Sequence, residues 1–204
     1  MDKLFRYELI NYIAKLNNAQ SYLEIGIHDG ACMQRIEIPN RTGIDPNSKC
    51  PGQKWCTQFY PFTSDIYFRA IKNEKFDIIF IDGLHRGEQV VKDIDNSIKI
   101  LNSRGAIILH DMNPATKERE SPNINGDCWR AMYRVRTTNP NVIAFTIDAD
   151  QGLGVVLPKP SNGINCPEKM PDTLNYNVLA RDRENVIGLV GIETGLQKIN
   201  EYYE

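Results

Sequence analysis

The chain reads as an α/β protein: a Rossmann-like, mostly parallel sheet of seven strands with an antiparallel last strand and helices on both faces. Three observations predict it. Strand-like and helix-like segments alternate from residue 3 to residue 157. Several of the strand segments are apolar throughout, as strands covered on both faces are. The final pair, Val142–Ile147 (VIAFTI) and Gly154–Leu157 (GVVL), is joined by too few residues for a helix, so these two pair antiparallel.

The elements follow in order. Leu4, Tyr7, Ile10 and Ala14 recur about once per helical turn and predict an amphipathic helix over 3–16. Ser21–Ile27 (SYLEIGI) is a short apolar strand that meets His28-Asp29-Gly30, with a helix expected over Ala31–Glu37. Arg41–Asp45 (RTGID) is a brief strand closed by Pro46, and Lys54–Tyr60 is another that ends before Pro61. Ser64-Asp65 opens a helix running to about Lys72, with a side chain able to cap it. Phe76–Ile81 (FDIIFI) is the strongest strand signal, bounded by Asp82-Gly83. A helix over Gly87–Leu101 keeps helical spacing at Val90, Ile94, Ile98 and Leu101, and Ala106–Leu109 is the next strand. Residues 113–127 are polar, hold two prolines and read as a surface loop before a helix near Cys128–Arg136. Residues 1–157 form the expected domain. The tail, 158–204, opens with three prolines in ten positions and holds one expected helix, Arg183–Ile199, either on the sheet or against a second copy in a homodimer.

Composition narrows the partners. With 204 residues the length suits one ordinary domain. The 24 basic and 26 acidic residues give a net charge of −2, without the basic excess that nucleic acid attracts. No apolar run approaches a membrane span, and the charged start is unlike a secretion signal. Five cysteines (Cys32, Cys50, Cys56, Cys128 and Cys166) show no paired spacing and read as free thiols, which points to the cytoplasm.

In an open parallel sheet the ligand lies beyond the carboxyl ends of the strands. The first end carries Glu24-Ile25-Gly26-Ile27-His28-Asp29-Gly30, whose glycines let backbone approach a ligand and whose following helix would aim its amides at the same cleft. His28 stands where a dinucleotide site has its second glycine. Glu24 suits a cationic amino-acid moiety. Asp45, 21 residues on, suits both hydroxyls of a ribose. Ser64 and Asp65 could reach a nucleobase edge, and helix capping accounts for the pair equally well.

This E-x-G-x-x-x-G loop, the acid ending the second strand and the antiparallel final strand resemble class I S-adenosylmethionine-dependent methyltransferases. The stretch FDIIFIDGLHRGEQ, with RGAIILHD at 104–111, resembles methyltransferase family 24, related to macrocin-type sugar O-methyltransferases and cephalosporin-hydroxylase-like proteins. The resemblance implies S-adenosylmethionine held by Glu24, Gly26, Gly30, Asp45, Ser64, Asp65 and Asp82. It also implies transfer to a hydroxyl of a sugar, glycan unit or other small polyhydroxy molecule.

Asp82 ends one central strand and His110-Asp111 the next; adjacent strands lie about 4.8 Å apart, so the three side chains can converge on a divalent ion. Metal-dependent relatives carry an acid after the fourth strand and an acid or amide pair after the fifth. His110 departs from that pattern, which leaves magnesium, manganese or iron open and favours manganese, iron or zinc over magnesium. His85, three residues beyond Asp82, sits at the offset of the catalytic lysine in catechol-type relatives and is the expected base, with Asp82 beside it; a metal ligand or a helix cap are its other readings. All three histidines (His28, His85 and His110) fall at expected strand ends. Trp129 with Arg130, Arg134 and Arg136 could engage an acceptor, or form a solvated basic helix face. The rivals are metal-free transfer, a nicotinamide-dependent oxidoreductase and a non-catalytic binding protein on the same fold.

Overall fold

The computed structural model describes residues 3–71, 73–159 and 174–204, so Cys166, Pro160 and Pro167 lie outside the described residues. In chain order the elements are α1 (Arg6–Asn17), β1 (Ser21–Ile25), β2 (Asn40–Ile44), β3 (Gln58–Tyr60), α2 (Ser64–Ala70), β4 (Phe76–Ile81), α3 (Gly87–Ile100), β5 (Leu101–Leu109), α4 (Trp129–Thr138), β6 (Val142–Ile147), β7 (Leu153–Pro158), α5 (Tyr176–Arg181), α6 (Arg183–Ile187), β8 (Leu189–Val190) and α7 (Ile192–Tyr203). The sheet has eight strands rather than seven, in the order β3-β2-β1-β4-β5-β7-β6-β8. The first five are parallel, β7 runs antiparallel to both neighbours, and the added β8 lies parallel to β6.

Alternation along the central strands sorts their side chains between two cores. Ile78 and Phe80 of β4 face α1 and α7, where Ile10, Ile13 and Ile199 pack; Ile79 and Ile81 face α3 and α4, where Ile94, Trp129 and Met132 pack. Each such buried Ile or Phe contributes about 1.5–3 kcal/mol over its exposed form. The α3 stripe Val90, Ile94 and Ser97 is buried at helical spacing, and Asp93 shares that face.

Several expectations are corrected. The helix over 31–37 is only a 3₁₀ turn, Met33–Arg35, because Ile36 and Ile38 are both buried around an exposed Glu37 and Pro39 follows, which suits extended chain. No helix N-terminus therefore faces the cleft after Gly30. In Lys54–Tyr60 the first two residues end a 3₁₀ turn begun by Pro51, and the strand is just Gln58–Tyr60. The cap of α2 is Thr63, whose side chain accepts from the Ile66 amide; Ser64 and Asp65 are its first helical residues. The helix expected over 183–199 is split into α6, β8 and α7: Gly188, at φ 65°, ends the first, and Gly191 precedes the last.

The described residues 174–204 of the tail are seated on the sheet. Tyr12 of α1 donates to Asn200 Oδ1 of α7 at 2.6 Å, and Val186 and Ile187 enter the second core. Tyr176 and Arg183 donate to the carbonyls of Ala115 and Pro114 at 2.8 and 3.0 Å, bracing the loop after β5. Among the described residues no helix is long and apolar enough to cross a membrane.

Candidate active site

The carboxyl ends of β1, β2, β4 and β5 open into a cavity of about 810 Å³, within the size range of small-molecule and cofactor sites. All three histidines line it, as do Glu24, Gly26, Asp45, Ser64, Asp65, Asp82 and Asp111. Gly30 does not.

The half beyond β1 and β2 is shaped by backbone. Gly26 has φ 87°, and a Cβ there would run into the carbonyl of Asp82, so the loops after β1 and β4 touch only because residue 26 is glycine. His28, at φ 44°, turns its amide to Asp45 Oδ2 at 3.0 Å, while the Asn47 amide donates to Asp45 Oδ1 at 2.9 Å. Each oxygen keeps a lone pair for a ligand on the cavity side. Gly30 has a different task from the expected one: with φ 80°, its Cβ would lie 2.7 Å from Gly52 Cα, so it lets the 3₁₀ turn at Pro51–Trp55 pack against the loop. Glu24 is buried and accepts from Tyr22 Oη at 2.7 Å; burial pushes its carboxyl up to about 8, so it is protonated at neutral pH until a cation joins it.

At the β3 side, Gln89 of α3 donates to Ser64 Oγ and Asp65 Oδ1 at 3.3 and 3.2 Å, an amide absent from the sequence reading.

The half beyond β4 and β5 is a cluster of acids and bases. His85 Nε2 lies 3.3 Å from Asp111 Oδ2 and 3.7 Å from Asp82 Oδ1. His110 Nδ1 lies 3.2 Å from Asp111 Oδ1 and 3.4 Å from Asp82 Oδ1, with its Nε2 3.5 Å from Asp150 Oδ1. Burial works to raise the Asp82 carboxyl, but His110, His85 and Arg6 overcome it and hold it below the usual carboxylate range. Burial likewise opposes a charge on His110, yet Asp111, Asp150 and Asp82 raise that imidazole well above its ordinary value. His85 is raised chiefly by its bond to Asp82.

Arg6, Asp150, Asn125 and Gln151 complete the cluster and were not anticipated. Arg6 Nη1 donates to Asp82 Oδ2 at 2.7 Å, and its Nε and backbone amide both donate to Asp150 Oδ2 at 2.9 Å. Asn125, wholly buried, donates to Asp111 Oδ1 at 2.6 Å and to Gln151 Oε1 at 3.1 Å. Asp111, Asp150 and Gln151 all have positive φ, backbone strain that this web of bonds sustains. The Asp-Gln-Gly turn between β6 and β7 offered one usable signal, since a polar hairpin tip at the carboxyl edge faces the site; Arg6, on a helix with no distinctive pattern, offered none.

Ligand atoms of Asp82, His85 and Asp111 lie within 4.8 Å of one another, a grouping that could hold a metal ion. His85 stands in it where the sequence reading placed His110. Trp129 is not at the surface: it is fully buried and donates to Glu120 Oε1 at 2.8 Å, while Arg136 Nη1 caps the Ala144 carbonyl at 2.6 Å. None of Trp129, Arg130, Arg134 and Arg136 lines the cavity.

Residues 23–112 match the methyltransferase family 24 model, described as a methyltransferase domain. No curated protein matches the chain. Among solved structures, an O-methyltransferase from Bacillus cereus in complex with S-adenosylhomocysteine is 14% identical, with 76% of this chain and 80% of that one covered and a TM-score of 0.59. A Podospora anserina methyltransferase bound to the same compound gives 13%, 78%, 80% and 0.62. The O-methyltransferase TomG from Streptomyces achromogenes, involved in tomaymycin synthesis and in complex with S-adenosylmethionine, gives 14%, 76%, 80% and 0.57. At these identities the likeness is one of fold, and the family match covers residues 23–112, less than half of the chain.

Proposed function

We propose that the chain transfers a methyl group from S-adenosylmethionine to a hydroxyl oxygen of a small molecule or glycan unit. One observation carries the reading: His85 Nε2 is aimed at two carboxylates, Asp111 and Asp82, at the wall of the same cavity that Glu24 and Asp45 line. An imidazole nitrogen facing two acids is satisfied by a proton that it carries, as one taken from an acceptor hydroxyl would be, or by a metal ion.

The donor set fits the cofactor. Glu24 would meet the ammonium of its amino-acid part, Asp45 the ribose, and Ser64 with Asp65 the base; when bound, S-adenosylmethionine supplies an electrophilic methyl group. The chain's own task is to align the acceptor oxygen and remove its proton. His85 Nε2 takes that proton, and Asp82 and Asp111 stabilise the imidazolium that results. Arg6 and Asn125 keep those acids in place.

A divalent metal is the second reading, favoured by the grouping of Asp82, His85 and Asp111. These three would hold it, manganese or iron before magnesium because of the imidazole, and it would lower the pKa of the acceptor hydroxyl. Isothermal titration with S-adenosylhomocysteine, and transfer of labelled methyl to a panel of polyhydroxy acceptors with and without chelator, test both readings. Absence of nucleoside binding defeats the proposal; transfer that survives the chelator leaves His85 as the base.

A further inference from the structure

One buried carboxyl plays no part in that transfer. Asp93 lies on the buried face of α3, one turn beyond Gln89. Gln89 Nε2 stands 3.1 Å from Asp93 Oδ1, 3.3 Å from Ser64 Oγ and 3.2 Å from Asp65 Oδ1. Ser64, Asp65 and Gln89 line the cavity, with Asp93 behind them. A carboxamide nitrogen has two protons and here meets three acceptors. The three acceptors share those two protons. Burial pushes the Asp93 carboxyl up to about 6, which still leaves it an acceptor for Gln89 at neutral pH.

We infer that Gln89, anchored on Asp93, is a positioning residue that fixes the Asp65 carboxylate at the nucleobase end of the cavity. It thereby makes the chain select a base with an exocyclic amine over one with an oxo group. The inference rests on the cofactor reading above. An ionised carboxylate held through one oxygen remains an acceptor: it bonds an amine and repels the lone pairs of an oxo oxygen, which would leave two acceptors face to face. Without Gln89 nothing on α3 ties Asp65 to the cavity wall, and the side chain at the start of a helix is free to turn to water. A carboxylate that has turned away neither gains from the amine nor penalises the oxo group.

The test is titration calorimetry with S-adenosylhomocysteine and S-inosylhomocysteine, identical except for amine or oxo at the purine. Wild type should prefer the amine by about ten-fold or more. Gln89→Leu should bring the two affinities within about three-fold, and Asp93→Asn should lower the preference partway, each with a melting temperature close to wild type. A preference that persists in Gln89→Leu overturns the positioning role. Wild type that binds both compounds equally also overturns it while the cofactor reading stands, and wild type that binds neither overturns both.

Discussion

The two halves of the cavity are held by different means. Around β1 and β2, shape comes from backbone: the positive φ of Gly26, and the amides of His28 and Asn47 on Asp45. Beyond β4 and β5, shape comes from side chains that meet from far apart, such as Arg6 and Asp150, 144 positions away in sequence. The first half is set by backbone geometry gathered around one acid, Asp45. The second is a balance of charges, so removal of one member leaves another uncompensated, and that asymmetry fixes the ranking of the variants.

Asp82→Asn should be the most damaging. It removes the acid shared by Arg6, His85 and His110, with an expected loss of transfer of about 10³-fold in single-turnover assays. It should also cost ~2 kcal/mol in urea unfolding, between the values for exposed and buried pairs. Equal damage from Asp45→Ala would erase the contrast between the halves. His85→Ala should lower kcat by about 10²-fold and spare S-adenosylhomocysteine affinity. Because a base must be unprotonated and His85 is raised above 6.5, wild-type kcat should climb with pH through a value above 6.5. That climb should vanish in the variant.

Glu24 sharpens the comparison through stability. The folded chain holds its proton up to about 8, whereas the unfolded chain releases it near 4.5. Stability should therefore fall as pH rises between those values, by up to about 1.4 kcal/mol per pH unit. Glu24→Gln should flatten the slope in thermal melts and weaken cofactor binding. Asp45→Ala should cost about 1–3 kcal/mol of S-adenosylhomocysteine affinity by calorimetry. Gly30→Ala should act on stability alone, about 1–2 kcal/mol from the left-handed backbone and the contact with Gly52, with cofactor affinity near wild type.

Much of this was legible in the chain. FDIIFI could be little but a buried central strand, and Asp82 directly after it had to lie at the carboxyl edge. The same logic placed Asp45 and His110-Asp111. It failed where local pattern and tertiary demand part: Ala31–Glu37 looks helical, yet Ile36 and Ile38 are both needed in the core, and Arg183–Ile199 is broken by two glycines so that Leu189 and Val190 can extend the sheet. Gly30 was singled out as a special position, and the backbone it lets approach is that of Gly52.

Sequence alone determined the order of the first seven strands and the acids and histidines at strand ends, because hydrophobic period and chain direction are local properties. Only the tertiary structure decided that Arg6 and Asp150 clamp Asp82, that His85 joins Asp82 and Asp111 while His110 is wedged among three carboxylates, and that Gln89 reaches Asp65. Those choices depend on which side chains meet across the sheet, and such meetings are set by packing between elements that carry no mark of one another in the chain.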